Sequence, residues 1–133
     1  MPDYVTDTHS LIWFLEDSAR LGPGARECFL SCDRGESIVH IPTICLVEII
    51  YLQEKDRIPG EMKILLDEEL RSGRTNIALA DLTGGVVEML PRVPRADVPD
   101  MPDRIIAATA LHLGLPLISR DRRIRVSGVD TIW

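Results

Sequence analysis

No stretch of this chain approaches the ~20 apolar residues that a membrane-spanning helix needs, although 45% of its residues are hydrophobic. The opening Met1-Pro2-Asp3-Tyr4 has no basic region leading into an apolar one, so no secretory leader is expected. Only three cysteines are present, Cys28, Cys32 and Cys45. An odd set does not make a disulfide framework and suits a reducing cytoplasm. Cys28 and Cys32 have a spacing that can bind metal, but no second pair accompanies them, so they read as core or surface thiols. His9, His40 and His112 are scattered; His9 lies close to Asp7, where it can touch a pocket or serve a helix start. There is no internal repeat, no low-complexity segment and no linker long enough to separate domains, so residues 1–133 are expected to form one domain, with length enough for a real core.

Positive charge is also scarce. The formal net charge is −6, which argues at first against a nucleic-acid partner. Its distribution changes the picture: residues 92–125 hold seven Arg and four Asp, a balance of +3 that leaves −9 for the remainder. The C-terminal third can therefore face phosphate while the rest repels it. Lys55 and Lys63 are the only lysines among fifteen basic residues. Arginine is suited to bidentate phosphate contacts.

What is abundant is an alternation of strand-like and helix-like segments. Strands are expected at Tyr4–Thr6, Ser37–Ile41, Asn76–Leu79 and Leu115–Ser119, with a last edge strand at Asp130–Trp133. Helices are expected at Ser10 to about Asp17, Ala25 to about Cys32, Thr43 to about Lys55, about Gly60 to Ser72, Thr83 to Leu90, and Pro102 to Leu113. The last has Pro near its start and Gly114 just past its end. Pro91 to Pro102 holds four prolines and reads as a loop. Such alternation implies parallel βαβ crossovers and a three-layer α/β/α sandwich around a mainly parallel sheet.

Against this frame, four acids stand beside hydrocarbon. Asp7 ends Tyr4-Val5-Thr6, Glu48 lies within Ile44-Cys45-Leu46-Val47-Glu48-Ile49-Ile50, Asp103 opens Ile105-Ile106-Ala107-Ala108, and Asp121 follows Leu117-Ile118-Ser119. A carboxylate in such company is costly unless a cation or strong donors compensate it. Asp7 and Asp121 fall at the carboxyl ends of the first and fourth strands, where α/β sheets bind ligands, and share a crevice if those strands are neighbours. Carboxylates without a His or Cys cluster favour hard cations such as Mg²⁺ or Mn²⁺, which activate water and stabilise phosphoryl charge.

Each acid has a plainer reading. Asp7 is a possible cap, though Thr8 and Ser10 are nearer to the expected helix start. Asp103 can complement a helix dipole, with Asp100 as the N-cap. Asp121 can pair with Arg120, Arg122 or Arg123. Glu48 would need a buried partner. Trp13, Phe14, Phe29 and Tyr51 read as core, and Asp67-Glu68-Glu69 as a solvated face.

Val5-Thr6-Asp7-Thr8-His9-Ser10-Leu11-Ile12-Trp13 resembles the opening strand and helix of PIN-domain ribonucleases of the VapC toxin type. Ile41-Pro42-Thr43-Ile44-Cys45-Leu46-Val47-Glu48-Ile49 resembles their second motif, Asp100-Met101-Pro102-Asp103-Arg104-Ile105-Ile106-Ala107-Ala108-Thr109-Ala110 the third, and Gly114-Leu115-Pro116-Leu117-Ile118-Ser119-Arg120-Asp121 the fourth. Order and approximate spacing hold over nearly the whole chain. The third motif departs from the usual pattern: Val98-Pro99 stand where a His is usual, and Pro102 lies one place later than the family's Pro.

The resemblance implies a PIN-like fold and a Mg²⁺- or Mn²⁺-dependent endoribonuclease, with Asp7, Glu48, Asp103 and Asp121 as the acidic quartet. It implies an RNA substrate, an antitoxin encoded alongside, and a homodimer or toxin–antitoxin hetero-oligomer, with no membrane role. Thr6 and Ser119 match positions that often carry a small hydroxyl near the acids, and Asp100 stands beside them. Three other functions remain. A binding-only PIN module has the same fold without turnover. A phospho-accepting receiver domain needs a Lys at the end of a late strand, which Lys55 and Lys63 do not provide. A haloacid-dehalogenase-like phosphatase needs an Asp two residues after the first, where His9 stands.

Overall fold

The computed structural model describes residues 2–133. Five strands form one sheet: β1 (Asp3–Thr6), β2 (Ile38–Pro42), β3 (Ile77–Ala80), β4 (Leu117–Ile118) and β5 (Thr131–Ile132). Their order is β3-β2-β1-β4-β5, and every neighbouring pair is parallel. Six α-helices flank it: α1 (Thr8–Leu15), α2 (Pro23–Asp33), α3 (Thr43–Glu54), α4 (Met62–Ser72), α5 (Gly84–Met89) and α6 (Met101–Leu113). This is the expected α/β sandwich with a parallel sheet.

Leu117 and Ile118 are consecutive in β4 and must point to opposite faces, yet both are fully buried. Val5 and Thr6 in β1 behave alike. Both faces of the central strands are therefore covered by helices, which is why these segments are continuously apolar rather than alternating. The core joins Leu11 and Ile12 of α1, Phe29 of α2, Ile49 of α3, Leu66 of α4 and Ile106 of α6 to the strands. Fully burying one such side chain contributes about 1.5–3 kcal/mol.

Several boundaries differ from the expected ones, each for a local reason. Helix α1 begins two residues early because Asp7, not Thr8 or Ser10, is its N-cap: Asp7 Oδ1 accepts from the Ser10 N–H at 2.9 Å. It stops at Leu15, and Asp17 follows with φ 52°. Helix α2 begins at Pro23, whose missing N–H costs nothing in a first turn. Strand β4 shortens to two residues, since Pro116 cannot donate to a ladder. Helix α6 starts at Met101, with Pro102 in its first turn, and ends at Gly114, which takes a left-handed φ of 67°. After β4 the chain makes a 3₁₀ turn, Arg122–Ser127, absent from the sequence expectation, before entering β5.

Candidate functional site

The strand order reverses between β1 and β4: β2 and β3 lie on one side of β1, and β4 and β5 on the other. Ligands bind at the carboxyl ends of strands at such a switch point. Val5 pairs with Leu117 and Thr6 with Ile118, so both strands end at the same level. A cleft of about 530 Å³ opens there, lined by Asp7, Asp103, Asp121, Ser119 and His9, with Trp13, Arg20, Arg120 and Arg123.

Asp7 is anchored by its backbone. Its N–H donates to the Ile118 carbonyl at 3.1 Å, and its own carbonyl accepts from Thr6 Oγ1 at 2.9 Å. Thr6 is fully buried, so the hydroxyl finds its partner in the chain. With Oδ1 occupied by capping, Oδ2 has no hydrogen-bond partner among the described residues.

Asp103 stands in the first turn of α6. Asp100 is the N-cap, its Oδ1 accepting from the Asp103 N–H at 3.2 Å, in keeping with the capping role expected for it. Burial pushes the Asp103 carboxyl up to about 7, and the negative charges of Asp100, Glu48, Asp7 and Asp121 add to the shift. All five acids therefore lie within electrostatic reach of one another, although Glu48 and Asp100 do not line the cleft itself.

Glu48 is half-buried in α3 and has the partner its position demands. Thr8 Oγ1 donates to Glu48 Oε1 at 2.5 Å. Burial raises the Glu48 carboxyl above the usual range, and the Thr8 hydrogen bond works against that shift. Beneath the site Cys45 is fully buried, its thiol directed at the Thr6 carbonyl 3.9 Å away. Burial raises its pKa, so it is an inert thiol rather than a nucleophile.

Asp121 follows β4. Its N–H donates to Ser119 Oγ at 3.1 Å, and Ser119 is itself buried. The carboxylate takes a forked contact from Arg123, with Nε 3.0 Å from Oδ1 and Nη2 2.9 Å from Oδ2. That guanidinium holds Asp121 below the ordinary carboxylate range.

Sequence reasoning puts all four acids, Asp7, Glu48, Asp103 and Asp121, in one pocket; the structure lines the cleft with Asp7, Asp103 and Asp121 and leaves Glu48 off it, bonded to Thr8. Thr8 as the partner of Glu48, and Arg20 and Arg120 as residues of the cleft, are not anticipated from the sequence. The forked Arg123 clamp was one of three pairings left open. The side chains do not converge on a single point. Among the described residues no three Asp, Glu, His or Cys side chains are grouped closely enough to hold a metal ion. Glu48 is drawn toward Thr8 and Asp121 toward Arg123. The donors nevertheless suit a hard cation: they are carboxylate oxygens, and the repulsion of Asp103 by its neighbouring acids is what a dication would relieve.

A family model for the PIN domain matches residues 4–128. A curated protein named Ribonuclease VapC22, from Mycobacterium tuberculosis, is 26% identical over 125 residues, spanning 94% of this chain and 92% of that protein. Among solved structures, DNA-bound VapBC from Salmonella typhimurium superposes with a TM-score of 0.68 at 23% identity, covering 98% of this chain and 97% of that one. VapBC2 from Rickettsia felis, bound to a DNA fragment from its promoter, gives a TM-score of 0.67 at 13% identity and covers 97% and 96%. At these identities the structures speak to the fold, and the family match reaches from the first strand to beyond the fourth, taking in all four acids. The chain belongs to the PIN domain family.

Proposed function

We propose that this protein is a divalent-metal-dependent endoribonuclease of the cytoplasm, the toxin of a toxin–antitoxin pair, and that residues 1–133 act as one PIN domain. The observation that carries the reading is the gathering of Asp7, Asp103 and Asp121 on one cleft at the switch point of the sheet, with Glu48 and Asp100 within electrostatic reach; burial first, and then these neighbouring charges, lift Asp103 to about 7. The relation to Ribonuclease VapC22 supports the RNA substrate. Asp7, Glu48, Asp103 and Asp121 would hold the metal. A bound Mg²⁺ or Mn²⁺ supplies Lewis-acid stabilisation of phosphoryl charge and lowers the pKa of water.

The chain's own residues prepare the site. Asp7 is fixed by its cap and its link to β4, Thr8 orients Glu48, and Ser119 and Arg123 orient Asp121. Asp103 must lose its proton to serve as a ligand. Charge neutralisation within the cleft therefore favours the ionised form that catalysis needs.

The partner of such a toxin is an antitoxin, a reading that the likeness to the VapBC structures supports. Arg123 on Asp121 shows that a guanidinium fits this pocket's carboxylates, and an antitoxin arginine would use the same chemistry. Val47, Ile50 and Tyr51 of α3 are exposed and offer the apolar surface for a homodimer or a hetero-oligomer.

The test is cleavage of RNA by purified protein. Mg²⁺ or Mn²⁺ should support it, a chelator should stop it, and Asp7→Asn should abolish it. Cleavage that continues in chelator refutes the metal mechanism. Expression alone should slow bacterial growth, and co-expression of the neighbouring gene should restore it; harmless expression of active protein refutes the toxin role.

A further inference from the structure

The same cleft that carries Asp7, Asp103 and Asp121 also carries Arg20, Arg120 and Arg123. Their situations differ. Arg123 is engaged by Asp121, whereas Arg20 and Arg120 have no carboxylate partner among the described residues. In a chain of net charge −6, two guanidinium groups in an acid-lined cleft yet paired with none of its acids call for a different counterion.

Arg120 is not loose. Its guanidinium carbon lies 5.0 Å from the centroid of the Trp13 ring. Trp13 is only 8% exposed and is braced in turn. Trp133 meets it edge-on at 5.7 Å, and His9 packs against it at 5.7 Å. The brace depends on a glycine: a Cβ at Gly22 would stand 2.6 Å from Trp133 Cδ1. A guanidinium laid against an indole face keeps its N–H edge free, and its restricted rotamers reduce the entropy lost when that edge binds an anion. Phosphate is the anion whose geometry that edge matches.

We propose that Arg120, braced on Trp13, and Arg20 of the same cleft form a phosphate-binding wall that seats the RNA backbone beside the acids. The proposal rests on the ribonuclease reading and adds to it the residues that grip substrate. The division of charge follows: carboxylates hold the cation and arginines hold the strand. Arg120 is thus a substrate-binding residue, and Trp13 a positioning residue that acts through it.

The experiment measures binding of a fluorescein-labelled, mixed-sequence single-stranded RNA 12-mer by anisotropy, in chelator so that no strand is cut. The salt concentration is varied. Arg120→Gln should weaken binding roughly tenfold, as for loss of a hydrogen bond to a charged group. It should also make the slope of log K against log salt shallower by about 0.7, the share of one phosphate on a single strand. Arg57→Gln, at an exposed site just beyond the end of α3 and outside the cleft, should change neither. Arg120→Lys should keep the salt slope but recover only part of the affinity, because lysine retains the charge without the flat fork.

A second readout is intrinsic fluorescence. Both tryptophans of the chain, Trp13 and Trp133, belong to this brace, so RNA should perturb the emission of the wild type and perturb that of Arg120→Gln less. Melting curves establish that each variant is folded. Wild-type protein that binds and cuts RNA, with Arg120→Gln unchanged in affinity and slope, overturns the wall and leaves the ribonuclease reading intact. Wild-type protein that neither binds nor cuts RNA overturns both.

Discussion

Asp103→Asn should stabilise the metal-free protein while destroying its activity. In the native state burial and the neighbouring acids raise the carboxyl to about 7 from its ordinary 3.8, a difference of about 3. At ~1.36 kcal/mol per unit that is about 4 kcal/mol of penalty at neutral pH, if fully expressed. The side chain is only partly buried, and solvent screening reduces the figure to on the order of 1–2 kcal/mol. Asn keeps the size and removes the charge. It also forfeits a favourable first-turn acid worth about 0.3–1 kcal/mol, so the net gain is roughly 1 kcal/mol. For a chain of this size that is about 3–5 °C in Tm.

The pH dependence distinguishes this from ordinary repacking. Because the native pKa lies above the unfolded one, the native state binds more protons between about pH 4 and pH 7, and wild-type stability falls as pH rises through that window. The advantage of Asp103→Asn should be absent near pH 4, grow toward pH 7 and level off above it. Thermal melts in chelator across that range measure it. Adding Mn²⁺ should reverse the order: with Kd about 1 mM, 10 mM metal stabilises the wild type by roughly 1.4 kcal/mol through linkage, and the variant by less. A variant less stable than wild type at pH 7.5 in chelator, by an amount independent of pH, would refute the electrostatic account.

Asp100→Asn should cost only a few tenths of a kcal/mol, because Asn also caps, whereas Asp100→Ala should cost ~1 kcal/mol in melting experiments. Metal binding and cleavage should survive in Asp100→Asn and fail in Asp103→Asn; the opposite outcome reverses their roles. Thr8→Val removes the donor to Glu48 and should lower stability by about 1–2 kcal/mol at pH 7, with reduced RNA cleavage, while Thr8→Ser should keep both. Gly85→Ala should destabilise by about 1–3 kcal/mol without a direct effect on the site, because the new Cβ would run into the His112 ring where α5 packs on α6; an unchanged Tm would show that the ring moves aside freely.

Much of the fold could be read from periodicity because its central strands are buried on both faces and its helices are punctuated. The runs at Tyr4–Thr6 and Leu117–Ile118 are short and wholly apolar or hydroxylic, and Pro102 with Gly114 brackets α6. What escaped were features decided by side-chain geometry rather than by residue type. Asp7, Thr8 and Ser10 are all good caps, and only the path from β1 into α1 selects Asp7. The 3₁₀ turn Arg122–Ser127 has no periodic signature, since it is held by Asp121 capping Arg123 and by the left-handed Gly128.

The site divides along the same line. That Asp7 and Asp121 share a crevice follows from strand adjacency, which a parallel βαβ chain makes a reasonable inference. That Glu48 leans on Thr8 requires α1 and α3 to be packed side by side, forty residues apart in sequence, and no local pattern reveals it. The arginines escaped for a further reason. Arg20 comes from the loop after α1, and Arg120, in the segment after β4, is one of three arginines flanking Asp121 that the sequence does not tell apart. An acid in an apolar run is conspicuous because its burial must be compensated. A surface arginine costs nothing where it stands, so its role emerges only when the fold sets it over an aromatic ring at the edge of a cleft.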